Sequence, residues 1–184
     1  RSIASLLTLS LADEPSVVAA IKLLIQLDPP TYILGNIELY SFVCLKAAIL
    51  SIQYGNIESS IKAYANCGLL FSLLKKQYQR GYEFSEMAWN LSYHLESKAQ
   101  RCKAGLLLAA WLRVWAKPIA GAAQLNYDSF LSGVEAGEVQ FADYNLFGNI
   151  FNRLFEGDEL GSIVKDVKTY KLIAQKNKDE LLMS

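Results

Sequence analysis

Between Gly81 and Pro118 the chain can do little but form helix. One arm reads RGYEFSEMAWNLSYHL and the next RCKAGLLLAAWLRVWAKP, with Glu96-Ser97-Lys98 between them. In the first arm Phe84, Met87, Ala88, Leu91 and Leu95 recur at helical spacing, which marks one face of a helix. The second arm is apolar almost all round from Ala104 to Leu112, and such a helix needs cover on more than one side. The pattern predicts a helical hairpin with a buried second arm. The rest of the chain must then supply the cover.

That rest also reads as helix. Ser2 to Ala12 is a weak first segment without a single apolar face. Pro15 suits the first position of a second helix, striped by Val17, Val18, Ile21, Leu24 and Ile25. Asp28-Pro29-Pro30 is expected to stop it, because a residue before proline is pushed out of the helical region. A third helix is predicted over Ile37 to Gln53, with Gly55 as its C-terminal cap and Asn56 capping the fourth. The fourth carries Ile57, Ile61, Tyr64, Ala65 and Gly68, and its small residues let a neighbour approach closely. Gly81 opens the hairpin described above. A seventh helix is predicted over Ile119 to Ala136, with a small-residue row at Ala122, Ser129, Gly133 and Ala136. Gly137 ends it. Val139 to Phe155 makes an eighth, rich in phenylalanine, and Gly157 turns into a ninth carrying Leu160, Ile163, Val164, Val167 and Tyr170.

Turns near Gly55, Glu96 and Gly137 recur about every 41 residues, and each interval holds two helices. The fold class expected is all-α, with about nine helices and no strand. Its architecture is a tetratricopeptide-like α-solenoid, a right-handed superhelical stack of antiparallel hairpins. An irregular bundle is the alternative. The expected organisation is one domain over 1–178: weak N-terminal helices in 1–30, repeats near 31–56, 57–96, 97–137 and 138–178, then a polar tail at 179–184. The structural turns are assigned to Gly55, Asn56, Gly81, Gly137 and Gly157. With 184 residues and an apolar fraction of 52%, the chain can bury one sizeable core.

Chemistry-bearing residues are scarce. Basic and acidic residues balance at 18 each, which gives no global pull toward nucleic acid. The balance is uneven along the chain: Ile61 to Ala120 holds nine basic and three acidic residues, so a basic face is one reading and ordinary surface the other. His94 is the single histidine, with no second to share a metal or a triad. Phosphate loops, HExxH, EF-hand, GxSxG and SxxK patterns are absent. Glu83 and Glu86 read as surface charge, and the Glu135–Glu138 and Asp158–Glu159 acids sit at turns. Cys44, Cys67 and Cys102 are odd in number and widely spaced in apolar context, which suits free thiols in a reducing compartment. No catalytic, metal or cofactor residue is assigned. No stretch of eighteen uninterrupted apolar residues marks a membrane span, and the start, opening on Arg1, reads as an excised fragment without a good signal peptide. The KDEL letters at 178–181 are not C-terminal, so they are no retention signal.

Aromatic residues carry the stronger signal. Trp111 and Trp115 are four apart and would share one face of the sixth helix, with Arg113 and Lys117 beside them. Such a rim suits a protein-binding surface or the packing of a core edge. A small-ligand or enzymatic pocket among Tyr144, Asn145 and Asn149 is a third option.

GYEFSEMAWNL, then KAQRCKAG, then WLRVWAKPI resembles the helical-repeat region of very large bacterial hybrid signalling kinases. YGNIESSIKAYANCGLL is similar to that region's preceding unit, and Leu131–Glu138 with Phe141–Tyr144 to its next one. The likeness spans about Pro30 to Ala174. It departs at Leu106–Ala110, where the family has a longer apolar or aromatic pattern, and at Val114, where it often has His. In that family a serine/threonine kinase-like domain and an AAA-type ATPase precede the tetratricopeptide-like segment, and a GAF domain and often a histidine kinase follow. The resemblance therefore implies a non-catalytic, cytoplasmic scaffold in signal transduction. Its partners would be neighbouring domains or a peptide, without cofactor or nucleic acid. A purely structural spacer is the alternative.

Overall fold

The computed structural model describes residues 2–177; the polar tail expected at 179–184 and the KDEL letters lie outside them. Among the described residues there are eight α-helices and no strand. The first segment is a short 3-10 stretch, Ile3–Thr8, rather than an α-helix. Helices α1 (Pro15–Ile33) and α2 (Ile37–Tyr54) follow, then α3 (Glu58–Lys75), α4 (Tyr78–His94), α5 (Lys98–Leu106), α6 (Ala122–Ala136), α7 (Val139–Glu156) and α8 (Leu160–Asn177). Successive helices pack as α1 on α2, α3 on α4, α5 on α6 and α7 on α8. The odd helices also touch in series, α1 to α3, α3 to α5 and α5 to α7, so the helices are stacked.

Pro15 opens α1 as expected, but Pro29 and Pro30 do not stop it. The helix continues to Ile33 because both its flanks are anchored. Asp28 is buried and pairs with Lys62 of α3 at 3.1 Å, and Thr31 Oγ1 donates to the carbonyls of Leu27 at 2.8 Å and Asp28 at 2.9 Å. The two prolines leave the carbonyls of Ile25 and Gln26 without their helical donors.

Gly55 ends α2 at φ +114°, a conformation open to glycine, and a Cβ there would sit 2.5 Å from the Ser10 carbonyl oxygen. The N-terminal segment lies against this turn. Asn56 N–H donates to Ser10 O at 2.8 Å, and Ala12 N–H to Asn56 O at 3.0 Å. Asn56 does not cap α3 as expected. Its buried side chain donates to Leu6 O at 2.8 Å and accepts from Tyr64 Oη at 2.9 Å. Ser60 Oγ serves the start of α3 instead, accepting from Ile57 N–H at 2.9 Å.

The most buried helix is α3, in which every residue from Ser60 to Leu70 is buried. Its contact with α4 is close because two glycines meet. A Cβ on Gly68 would lie 2.5 Å from Gly81 O, and one on Gly81 would lie 2.6 Å from Gly68 O. Gly81 is thus inside α4 rather than in a turn, and its assignment as a turn residue is corrected: it is small for packing, not for bending. The turn before α5 does fall at Glu96, at φ +52°.

The second arm of the opening hairpin is not one α-helix. After Leu106 it widens to a π-helical stretch, Leu107–Leu112, then tightens to a 3-10 turn, Arg113–Trp115. Asn152 of α7 donates to the Ala109 carbonyl within the widened stretch at 3.3 Å. Leu107, Leu108, Ala109 and Leu112 are buried as the composition demanded. Beyond the arm, α6 begins at Ala122 rather than Ile119. Gly137 and Gly157 end α6 and α7 at φ +73° and +86°.

The core changes character along the stack. From Leu6 to Leu112 it is one apolar cluster that includes Ile21, Ala47, Ile61, Tyr64, Leu91 and Ala104. Between α5, α6 and α7 it is small and polar. Asn126 Nδ2 donates to Asn145 Oδ1 at 3.0 Å, and Asn152 Nδ2 to Asn126 Oδ1 at 2.7 Å. Asn145 Nδ2 donates to Cys102 O at 3.1 Å, and Asn149 Nδ2 to Ala123 O at 2.8 Å. Gly133 and Gly148 let these helices approach closely enough for the short amides to reach.

Candidate protein-interaction site

The break in the α5 arm sets the tryptophan edge. Widening and then tightening the helix moves Trp111 and Trp115 off the shared α-helical face that their spacing implied. Trp115 instead stacks on Tyr78, at the start of α4, with ring centroids 5.4 Å apart. Both tryptophans stay in solvent, Trp111 at 52% and Trp115 at 63% exposure, while Trp89 is buried against Tyr93 and the α5 backbone at Gly105. Val114 is exposed between them.

The two cations assigned to this rim have separate tasks. Arg113 is half-buried and donates through Nη2 to Ala120 O at 2.8 Å, so it pins the loop leading to α6. Lys117 is exposed, with its ammonium 5.5 Å from the ring centroid of Tyr82. Tyr82 Oη donates to Glu86. Burial, and then that carboxylate, push the Tyr82 phenol up to about 12. Trp115 and Lys117 thus lie along α4, on Tyr78 and Tyr82, while Trp111 and Val114 are exposed on the same broken arm. Tyr78 was missed in the sequence because it lies more than thirty residues upstream.

A second constellation was also missed. Lys62, Asn66 and Asp28 form a buried network that reaches Cys44. Lys62 Nζ donates to Asn66 Oδ1 at 2.9 Å and pairs with Asp28, while Asn66 Nδ2 donates to Asp28 Oδ2 at 2.8 Å and to Cys44 Sγ at 3.2 Å. Breaking such a desolvated pair costs about 3–5 kcal/mol, because the remaining charge stays buried. The sequence signal was an acid before two prolines and a lysine amid an apolar helix. The acid was read as part of a helix stop, and the lysine only as one of the basic residues between Ile61 and Ala120.

The other candidates fall apart in space. His94 is exposed at the end of α4, Glu83 accepts from Gln79 at 3.0 Å, and Glu86 from Tyr82. The thiols of Cys44, Cys67 and Cys102 are buried and free, and burial pushes each up to about 12. Asn145 and Asn149 are engaged in the amide ladder, and Tyr144 Oη accepts from Gln140 at 2.8 Å. Asn149 also lines a cavity of about 320 Å³ with Tyr127, Arg153 and Tyr170. Arg153 there is held by Asp158 and Asp166. Among the described residues no group of three or more His, Cys, Asp or Glu side chains could hold a metal ion.

One described helix, α2, is long and apolar enough to cross a membrane by length and mean hydropathy alone. A third of its length is buried, with Tyr40, Val43, Cys44 and Ala47 packed inward. Comparison of the chain with protein-family models, curated proteins and solved structures finds no match.

Proposed function

We propose that this chain is a non-catalytic helical scaffold that carries contacts between domains, or with a partner protein, in a cytoplasmic bacterial signalling kinase and ATPase. In this reading the stack is a right-handed, tetratricopeptide-like superhelix, supported by the serial contacts of its odd helices. The observation that carries the reading is the exposure of Trp111, Trp115 and Lys117 on the broken α5 arm. Tryptophans concentrate binding energy where a partner desolvates them. Pull-down of the chain with the kinase-like, ATPase and GAF domains of its parent tests it. Trp111→Ala with Trp115→Ala should abolish capture of one of them. Undiminished capture by the double variant removes the edge from the reading.

The spacer alternative draws on a different observation. Ile33, Leu34 and Phe42 at the α1–α2 end, and Phe155, Leu160 and Leu172 at the α7–α8 end, are exposed apolar residues. Faces of that kind suit further packing against neighbouring elements. No capture of any of these domains by the unaltered chain favours this spacer role.

A further inference from the structure

We propose that the end of the stack where the α3–α4 turn meets the broken α5 arm is a contact surface for an anionic phospholipid bilayer. Every residue from 73 to 80 is exposed, and the run opens on two adjacent leucines, Leu73 at 57% and Leu74 at 51%. Lys75 and Lys76 follow them directly. Lys76 turns the chain at φ +53°, and Gln77 N–H donates back to Phe71 O at 3.0 Å, so the turn that carries these residues is a closed one. Trp115 joins this end by its stack on Tyr78, and Lys117 by its place over the Tyr82 ring. Arg80 adds a fourth exposed cation, its guanidinium 4.5 Å from the Phe71 ring centroid.

Charge and shape select the occupant. None of Lys75, Lys76, Arg80 and Lys117 is ion-paired among the described residues. The sequence has no acid between Glu58 and Glu83 or between Glu96 and Asp128, and the two nearest along α4 are engaged, Glu83 by Gln79 and Glu86 by Tyr82. Four cations beside apolar side chains match the negative potential of an anionic leaflet, where each contributes separately. The apolar groups are those a bilayer interface takes: leucines that enter the acyl boundary, and a tryptophan and a tyrosine whose rings sit at headgroup level. A nucleic acid would use the same cations but gain nothing from Leu73 and Leu74. A peptide needs a groove to lie in, whereas these side chains stand on a turn; the cavity of about 320 Å³ lies elsewhere, among α6, α7 and α8.

Co-sedimentation of the whole chain with vesicles tests the assignment. It should bind vesicles of about equal phosphatidylglycerol and phosphatidylcholine, more weakly at about 300 mM than at about 50 mM salt, and phosphatidylcholine alone at least about tenfold more weakly. Lys75→Glu with Lys76→Glu should weaken binding to the mixed vesicles at least about tenfold. Lys117→Glu, on the other arm, should weaken it about fivefold, and decides the point if the double variant loses its helical spectrum. Leu73→Ser with Leu74→Ser should weaken binding on the order of tenfold without changing its salt dependence. In a Trp111→Phe variant, tryptophan emission should shift to shorter wavelength on the mixed vesicles as Trp115 enters the interface. The vesicles contain no protein and every one of these variants keeps Trp115, so this result is independent of whether the parent's domains are captured. Equal binding to both kinds of vesicle, an unchanged affinity in the lysine variants, an unmoved emission, or loss in the lysine variants without loss in the leucine variant, the pattern of a nucleic-acid or protein site that reads charge alone, each overturns the proposal.

Discussion

Asn56 shows how much one amide can hold. It joins the N-terminal segment, the α2–α3 turn and α3 through bonds to Leu6 O and from Tyr64 Oη, all away from solvent. Asn56→Ala would leave the Leu6 carbonyl without its side-chain donor and remove the Tyr64 bond, so a loss of roughly 1–3 kcal/mol is expected in urea denaturation. Amide exchange of residues 3–12 should accelerate with it. The three thiols give a pH prediction. Their folded pKa values lie near 12 against an ordinary 9.0, so the native state holds protons that the unfolded state releases above pH 9. The thiols contribute no pH dependence below about pH 8. Stability falls as pH rises from about 9 toward 12, by up to about 1.4 kcal/mol per unit for each thiol. Urea midpoints at pH 7.5 and 10.5 measure the fall, and Cys67→Ala should shrink it.

At the level of elements, glycines decide which helices touch. The α3–α4 crossing at Gly68 and Gly81 has no room for a methyl group: a Cβ on Gly68 meets the Gly81 carbonyl, and one on Gly81 meets Ser72 Oγ and then the Gly68 carbonyl. Gly81→Val should cost about 1–3 kcal/mol or more and lower the thermal midpoint, because a carbonyl cannot swing away as a side chain does. A midpoint unchanged by that substitution would contradict the close crossing. The helices themselves were readable from periodicity, and Pro15, Glu96, Gly137 and Gly157 mark real boundaries. Three misreadings share one cause. Pro29-Pro30 looked like a stop, Gly81 like a turn and the α5 arm like one regular helix, because local propensity was read without the neighbour that overrides it. Asp28 pairs across to α3, Gly81 meets Gly68, and Asn152 reaches the Ala109 carbonyl. None of these partners lies within a helical turn of the residue it rescues.

For the molecule as a whole, the all-α stack was legible and its sites were less so. The tryptophans were visible as residues, but their exposure and the Tyr78 stack depend on how the α5 arm breaks. The cationic end was not legible as one surface, since Lys75 and Lys76 are distant in sequence from Trp115 and Lys117 and only the Tyr78 stack joins them. The change of core character has a mechanical consequence. The apolar cluster from α1 to α4 is pinned at separate points, by the Asp28–Lys62–Asn66 network and by the Gly68–Gly81 crossing. The amides between α5, α6 and α7 are keyed: a shift by one turn would strand Asn126, Asn145, Asn149 and Asn152 together. Turning α5 against α6 and α7 would therefore break several amide bonds at once, so these three helices are set to turn as one piece.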